Sequence, residues 1–298
     1  MVKPYLLWPA CTGTIALLGG LVAVRRPWSA ASGWDKLIAL GPFFVAVPLA
    51  TFGAEHMVNA TFIARMVPVW LPGRLFWAYF VGLALFAAAA SLILRRHVRL
   101  SATLLGVMFF LFVTLMHVPN VAADPGNRFM WAIAFRDLSF GGGGLALAAT
   151  QTERWRARGT HWLLAAGRLM IALPLLFFGF EHLLHPEFAP GVPLPKMAPA
   201  WIPVPAAWGY ATGAAEIAAA GAVLMGFRAR TAATWLGLLM LLLTAVVYSP
   251  MLVTYTDPPA RFEGLNYVAD TLLFAGTILV LAGAVRERKD PEPVLSPR

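Results

Sequence analysis

The chain is 298 residues long, 59% hydrophobic and only 12% charged, with a formal net charge of +9. Soluble domains carry about twice that charged fraction, and the apolar residues here gather in blocks of about 20, the length that crosses a bilayer. A soluble enzyme is therefore excluded, and so is a nucleic-acid partner, because the basic residues sit in short turns between apolar blocks as topology signals do.

The predicted fold class is all-α: a polytopic helical membrane protein of about nine transmembrane helices. The spans fall near 5–24, 36–55, 75–94, 100–118, 131–150, 162–181, 207–226, 231–250 and 267–285. One set of turns holds Arg25, Arg26 and Lys36, then Arg95, Arg96 and Arg99, then Arg154, Arg156 and Arg158, then Arg228 and Arg230, and last Arg286, Arg288 and Lys289. The alternate turns are nearly free of them, so the first set is expected in the cytoplasm, with the N-terminus outside. The chain is then a multi-pass cell-membrane protein, of the bacterial inner membrane. The tail from Arg286 to Arg298 mixes charge with proline and is expected to be disordered. The single cysteine, Cys11, leaves no internal disulfide, CxxC pair or covalent haem motif.

Two stretches echo each other. Phe52-Gly53-Ala54-Glu55-His56 ends the second predicted span, and Phe178-Gly179-Phe180-Glu181-His182 ends the sixth. Glu55 and Glu181 are 126 apart; Trp70 and Trp201, Trp77 and Trp208, Arg99 and Arg230, and Pro119 and Pro250 are each 131 apart; Asp137 and Asp270 are 133 apart. A nearly constant shift over several landmarks predicts a tandem repeat. Each copy holds four spans, an even number, so both enter the membrane the same way round. The expected organisation is an N-terminal helix in 1–30, four-helix units in 31–152 and 153–286, and the tail in 287–298.

The second unit carries a family resemblance. Gly167-Arg168 opens a span that closes on Phe178-Gly179; a proline-rich loop follows, then Ala214-Ala215-Glu216-Ile217-Ala218 within a span, then Phe227-Arg228-Ala229-Arg230-Thr231-Ala232-Ala233 in a turn. This order resembles the DoxX family of four-helix membrane proteins, over about 120 residues. The first unit departs from it, with Leu85 or Phe86 where Glu216 would be expected, but it has His117 near the end of its third span, as many DoxX-like sequences do. The resemblance implies fold and membrane location. Some such proteins look like the DoxD type, membrane subunits of thiosulfate:quinone oxidoreductases, and others stand beside redox proteins.

The ionisable residues inside the spans are the candidate site. A carboxylate at a span centre costs about 2.5–3.5 kcal/mol on insertion scales, so Glu216, Asp137 and Asp270 must face the bundle interior, paired or neutral. The expected second-copy site is Glu181, His182, Glu216 and Asp270; the first is Glu55, His56, His117 and Asp137, all in acid–base and hydrogen-bonding roles. Trp208, Tyr210 and Tyr248 are candidate cofactor-binding aromatics. Adjacent helical residues point about 100° apart, so Glu181 and His182 do not readily share a ligand, whereas Glu181 and His185 lie on one face. Quinone is the first cofactor these features suggest, with a metal ion or haem b after it.

The Gly141-Gly142-Gly143-Gly144 run inside a span predicts close helix approach. The leading functional reading is a membrane subunit that binds a quinone or similar lipophile and supports a redox or proton-coupled reaction at the outer leaflet, with a membrane or periplasmic redox partner. The alternatives are a non-enzymatic interaction or lipid-handling protein, and a transporter. Against a transporter stands the lack of paired breaks at mid-membrane: Pro42, Pro48 and Pro174 read as unmatched.

Overall fold

The computed structural model describes residues 3–151, 158–191 and 195–285. Arg154, Arg156 and the tail with Arg286, Arg288 and Lys289 lie outside these. Among the described residues the chain is helical, with a single isolated bridge between Phe188 and Met197.

Long helices occupy each predicted span. They are α1 (Pro4–Ala30), α2 (Gly41–Val58), α3 (Arg74–Leu94), α4 (Val98–Phe112), α5 (Arg128–Thr150), α6 (Arg158–Leu184), α7 (Pro205–Met225), α8 (Ala229–Leu243) and α9 (Pro258–Ala284). Their ends follow from local chemistry. Pro4, Pro205 and Pro258 sit in first turns, where the missing N–H is no loss. Asn127 and Asp257 cap α5 and α9 by accepting from Met130 N and Ala260 N, each at 3.4 Å. Gly226 closes α7 with φ 72°, which a glycine adopts without strain.

Seven helical rods, counted among the described residues, are long and apolar enough to cross a membrane. They exclude α5 and α7, which have the length but not the apolarity: α5 carries Arg128, Arg136 and Asp137, and α7 is built largely of alanine and glycine around Glu216. The chain is thus a helical multi-pass membrane protein, and large apolar side chains such as Ile15, Leu83, Phe110 and Trp235 cover its outer surface.

The helices close into a ring in chain order, α2 to α9, with α9 returning to α2 and α1 packed outside against α2. Across the middle of the ring α5 and α9 touch, dividing it into two lobes. The first helix of each predicted unit packs on the fourth helix of the other: α2 on α9, and α6 on α5.

Glycines set these contacts. A Cβ on Gly142 would lie 2.9 Å from Gly167 O, and one on Gly276 would lie 3.0 Å from Gly41 O. One on Gly82 would lie 3.1 Å from Gly53 O, and one on Gly213 would lie 2.7 Å from Gly179 O. The glycine run lets α5 press on three helices at once, since Gly144 faces Ala102 O, Gly142 faces Gly167 O and Gly143 faces Thr277. The offsets are 167 − 41 = 126 and 179 − 53 = 126 for α2 and α6, 213 − 82 = 131 for α3 and α7, and 276 − 142 = 134 for α5 and α9.

Two details of the sequence comparison change in this register. Asp270 answers to Arg136, 134 residues earlier, rather than to Asp137. Pro48 and Pro174 stand 126 apart, the same spacing as the glycines of α2 and α6, and both helices run through them without a break.

Candidate functional site

The polar interior lies at one end of the bundle. Arg128, at the start of α5, pairs with Glu181 at the end of α6. Two turns further along α5, Arg136 pairs with Asp270 midway along α9, and Asp270 lies beside Glu55 near the end of α2. Glu55 and Glu181 are therefore at the same end. The opposite end is basic, with Arg230 bonded to Asp35 at 2.5 Å and to Ala282 O at 2.9 Å.

The larger cluster fills the seam between the lobes. His117 Nε2 donates to Asp137 Oδ2 at 2.9 Å. Arg136 holds the other oxygen of Asp137 through Nε and Nη2, both at 3.2 Å, and reaches across to Asp270 Oδ2 with Nη1 at 2.9 Å. Glu55 is buried with Oε1 unbonded, among Asp270, Arg136 and Asn266. Two carboxyl groups thus share the Arg136 guanidinium, with the third, Glu55, buried beside them and not bonded to it.

His117 owes its position to a local irregularity: α4 passes into a π-turn at Val113–His117 before Val118–Ala123. A second π-turn at Thr244–Tyr248 follows α8, 131 residues later, and directs Tyr248 inward. Such turns occur often at functional sites.

A second cluster lies inside the other lobe. Glu216 of α7 and His182 of α6 are both 0% exposed, with His182 Nε2 3.9 Å from Glu216 Oε2. Gly191 N–H donates to His182 Nε2 at 3.0 Å, which places the ring proton on Nδ1. The Tyr248 hydroxyl donates to Pro190 O at 2.7 Å, so the loop before Gly191 is tied down over this lobe.

The residues expected to work together are therefore distributed as follows. His117, Asp137 and Asp270 meet, with Arg136 as the link and Glu55 at the edge. His182 and Glu216 meet with Tyr248 close by. Glu181 turns away to Arg128, as its angle to His182 suggests, and His185 lies 3.4 Å from Glu187. His56 spends Nδ1 on Phe52 O of its own helix at 2.9 Å. Trp208 and Tyr210 are 45% and 51% exposed on the outside of α7, away from both clusters. No three His, Cys, Asp or Glu side chains among the described residues converge as a metal would require.

Beside the seam cluster runs an apolar groove of about 430 Å3. Val113, Val118, Val121, Trp131, Phe135 and Leu138 line it, from the π-turn segment after α4 and the stripe of α5 that Trp131, Phe135 and Leu138 share; His117 and Asp137 are the chain neighbours of Val118 and Leu138. Trp131 and Phe135 stack at 5.9 Å, presenting flat rings along one wall. A smaller cavity, about 240 Å3, lies at the basic end between α1, α2 and the α3–α4 turn, remote from both clusters. Ligand pockets run from about 300 to 1,000 Å3, so the groove is the candidate site.

Arg136 and Arg128 are the paired cations that a search for acid–base residues passes over; for Arg136 a basic residue inside an apolar span was the signal. Thr212, one helical turn before Glu216, is a further buried polar group, visible in the sequence only as an i, i+4 neighbour.

Residues 45–131, from α2 into the start of α5, match the family model of a domain of unknown function, DUF8561. No curated protein and no solved structure matches the chain.

Proposed function

We propose that this chain is a DoxX-like membrane protein that takes a quinone-like lipophile from the outer leaflet into the groove between α4 and α5, where His117 exchanges a proton with the bound head group. The observation that supports this reading is that Val118 and Leu138 line the apolar groove and are the chain neighbours of His117 and Asp137, which head the buried His117–Asp137–Arg136–Asp270 chain. A flat apolar slot open to lipid suits the ring and tail of such a molecule. A histidine held by a carboxylate supplies the hydrogen bond and the proton its oxygen needs. Electrons would come from a membrane or periplasmic redox partner.

The same proposal has nine spans: α5 and α7 cross the membrane with the other seven because their polar residues point inward, Asp137 and Glu216 being buried. It also has two copies of one four-helix unit, supported by the matched glycine contacts at offsets of 126, 131 and 134. The basic end then faces the cytoplasm, which puts both clusters under the outer surface.

Binding of decylubiquinone to the purified protein, followed by quenching of Trp131 and its neighbours, tests the site. His117→Phe should weaken binding about tenfold, the worth of one hydrogen bond to a charge-assisted pair. Leu138→Trp should block the groove outright. Unchanged affinity in both variants would remove the groove from the account. The alternative, that the seam cluster only joins α4, α5 and α9, is favoured by the bonds that link His117, Asp137, Arg136 and Asp270; it requires His117→Phe to lower thermal stability and leave quinone affinity alone.

A further inference from the structure

The lobe formed by α6, α7 and α8 holds a set of buried polar groups that the groove does not use. Glu216 is 0% exposed, and neither of its carboxyl oxygens has a hydrogen-bond partner. Thr212 Oγ1, one turn earlier on the same face of α7, is buried and unbonded, as is His182 Nδ1 on α6. The two helices are pressed together at Gly179 and Gly213, where a Cβ on Gly213 would lie 2.9 Å from the His182 Cβ. The close crossing holds the histidine ring against the α7 face that carries Glu216.

Among the described residues no cation pairs with this carboxyl. His182 faces it from α6 with its ring nitrogen already accepting from Gly191 N–H, and Tyr248 faces it from the π-turn after α8 with its hydroxyl spent on Pro190 O. Tyr267 of α9 stacks on Tyr248 at 5.8 Å and is neutral as well. A buried carboxyl without a partner is held as the acid or by a bound cation. A cation takes a shell of several oxygens; besides the Glu216 carboxyl, Thr212 Oγ1 is the unbonded buried oxygen on this face of α7.

We propose that Glu216 is a proton-binding site, with His182 as the relay between it and the outer end of the bundle. The proton on Glu216 Oε2 passes to His182 Nε2 once the Gly191 N–H bond opens and the ring closes the 3.9 Å gap. The ring, then carrying protons on both nitrogens, releases the one on Nδ1 once the loop at Gly191 lifts and water reaches it. The same steps in reverse return a proton from water to Glu216, so that the acid form is restored. One proton leaves Glu216 and one reaches the outside in each passage. The lobe formed by α2, α3 and α4 has no counterpart, since Leu85 stands where Glu216 stands. The two lobes therefore differ in task, and this inference does not rest on the lipophile reading.

Infrared spectra of the full chain in phosphatidylcholine vesicles at neutral pH test it. The wild type should show a carboxylic-acid C=O band that shifts in D2O, that Glu216→Gln removes and that Glu55→Gln does not. Its exchange with D2O should be at least tenfold slower in His182→Phe and unchanged in His117→Phe. Replacing choline by sodium should leave the band in place. If Glu216→Gln fails to fold, the wild type grown with 13C-glutamate identifies the band by its isotope shift. Absence of a glutamic-acid band, its loss in sodium, or wild-type exchange in His182→Phe would each overturn the proposal. Loss of quinone affinity in His117→Phe would leave it standing.

Discussion

Replacing Arg136 by Gln should destabilise the fold by about 3 kcal/mol. The guanidinium serves two carboxylates on different helices, Asp137 on α5 and Asp270 on α9. Asp137 would keep His117 at 2.9 Å, but Asp270 would lose its ion pair while still facing Glu55. Removing one member of a buried ion pair costs about 3–5 kcal/mol, and an unpaired carboxylate in a span costs about 2.5–3.5 kcal/mol; the lower end applies because Asp137 stays paired. The double variant Arg136→Gln/Asp270→Asn leaves no bare charge and should cost about 1 kcal/mol, within the range of interhelical polar contacts in membranes. At about 2 °C per kcal/mol, the single variant should melt about 6 °C lower and the double about 2 °C lower. Tryptophan fluorescence in mild detergent is the readout, because Cys11 is exposed and a thiol dye would label the folded protein. Equal losses in the single and double variants would refute the reasoning, since the ion pair would then contribute nothing beyond side-chain packing.

Gly144→Ala should cost about 1–3 kcal/mol, because the added Cβ meets backbone on α4 at 2.8 Å and backbone cannot swing aside. Gly221→Ala, whose nearest neighbour is the Met225 side chain at 3.8 Å, should instead gain about 1 kcal/mol from helix propensity. Melting curves of the two separate close helix approach from generic glycine effects. Tyr248→Phe deletes the bond to Pro190 O and should cost about 1 kcal/mol. Because that bond anchors the loop over the lobe formed by α6, α7 and α8, proteolysis within the loop around Pro190 should become faster.

Much of this arrangement could be read from residue order. Burial of Glu216, Asp137 and Asp270 follows from the cost of charge in lipid, and it holds. The Glu181–His182 divergence follows from helix geometry and holds too. Partner choice does not follow. Glu181 meets Arg128 and Asp270 meets Arg136 because α6 lies on α5 and α9 touches α5, helix contacts that hydrophobic patterning leaves open. The two π-turns were also illegible: Val113–His117 is as helical in pattern as the segment before it, yet the extra residue in its turn is what swings His117 onto Asp137. Trp208 and Tyr210 show the limit of reading aromatics near a span end, since their helix turns them outward.

Photolabelling places the lipophile most directly. An azido-quinone irradiated with the protein in phosphatidylcholine vesicles should attach within the segment from Val113 to Leu138. Excess decylubiquinone should suppress that label, and Leu138→Trp should abolish it. Label spread over the outer faces of α1, α3 and α7, indifferent to competitor, would contradict a quinone site between α4 and α5.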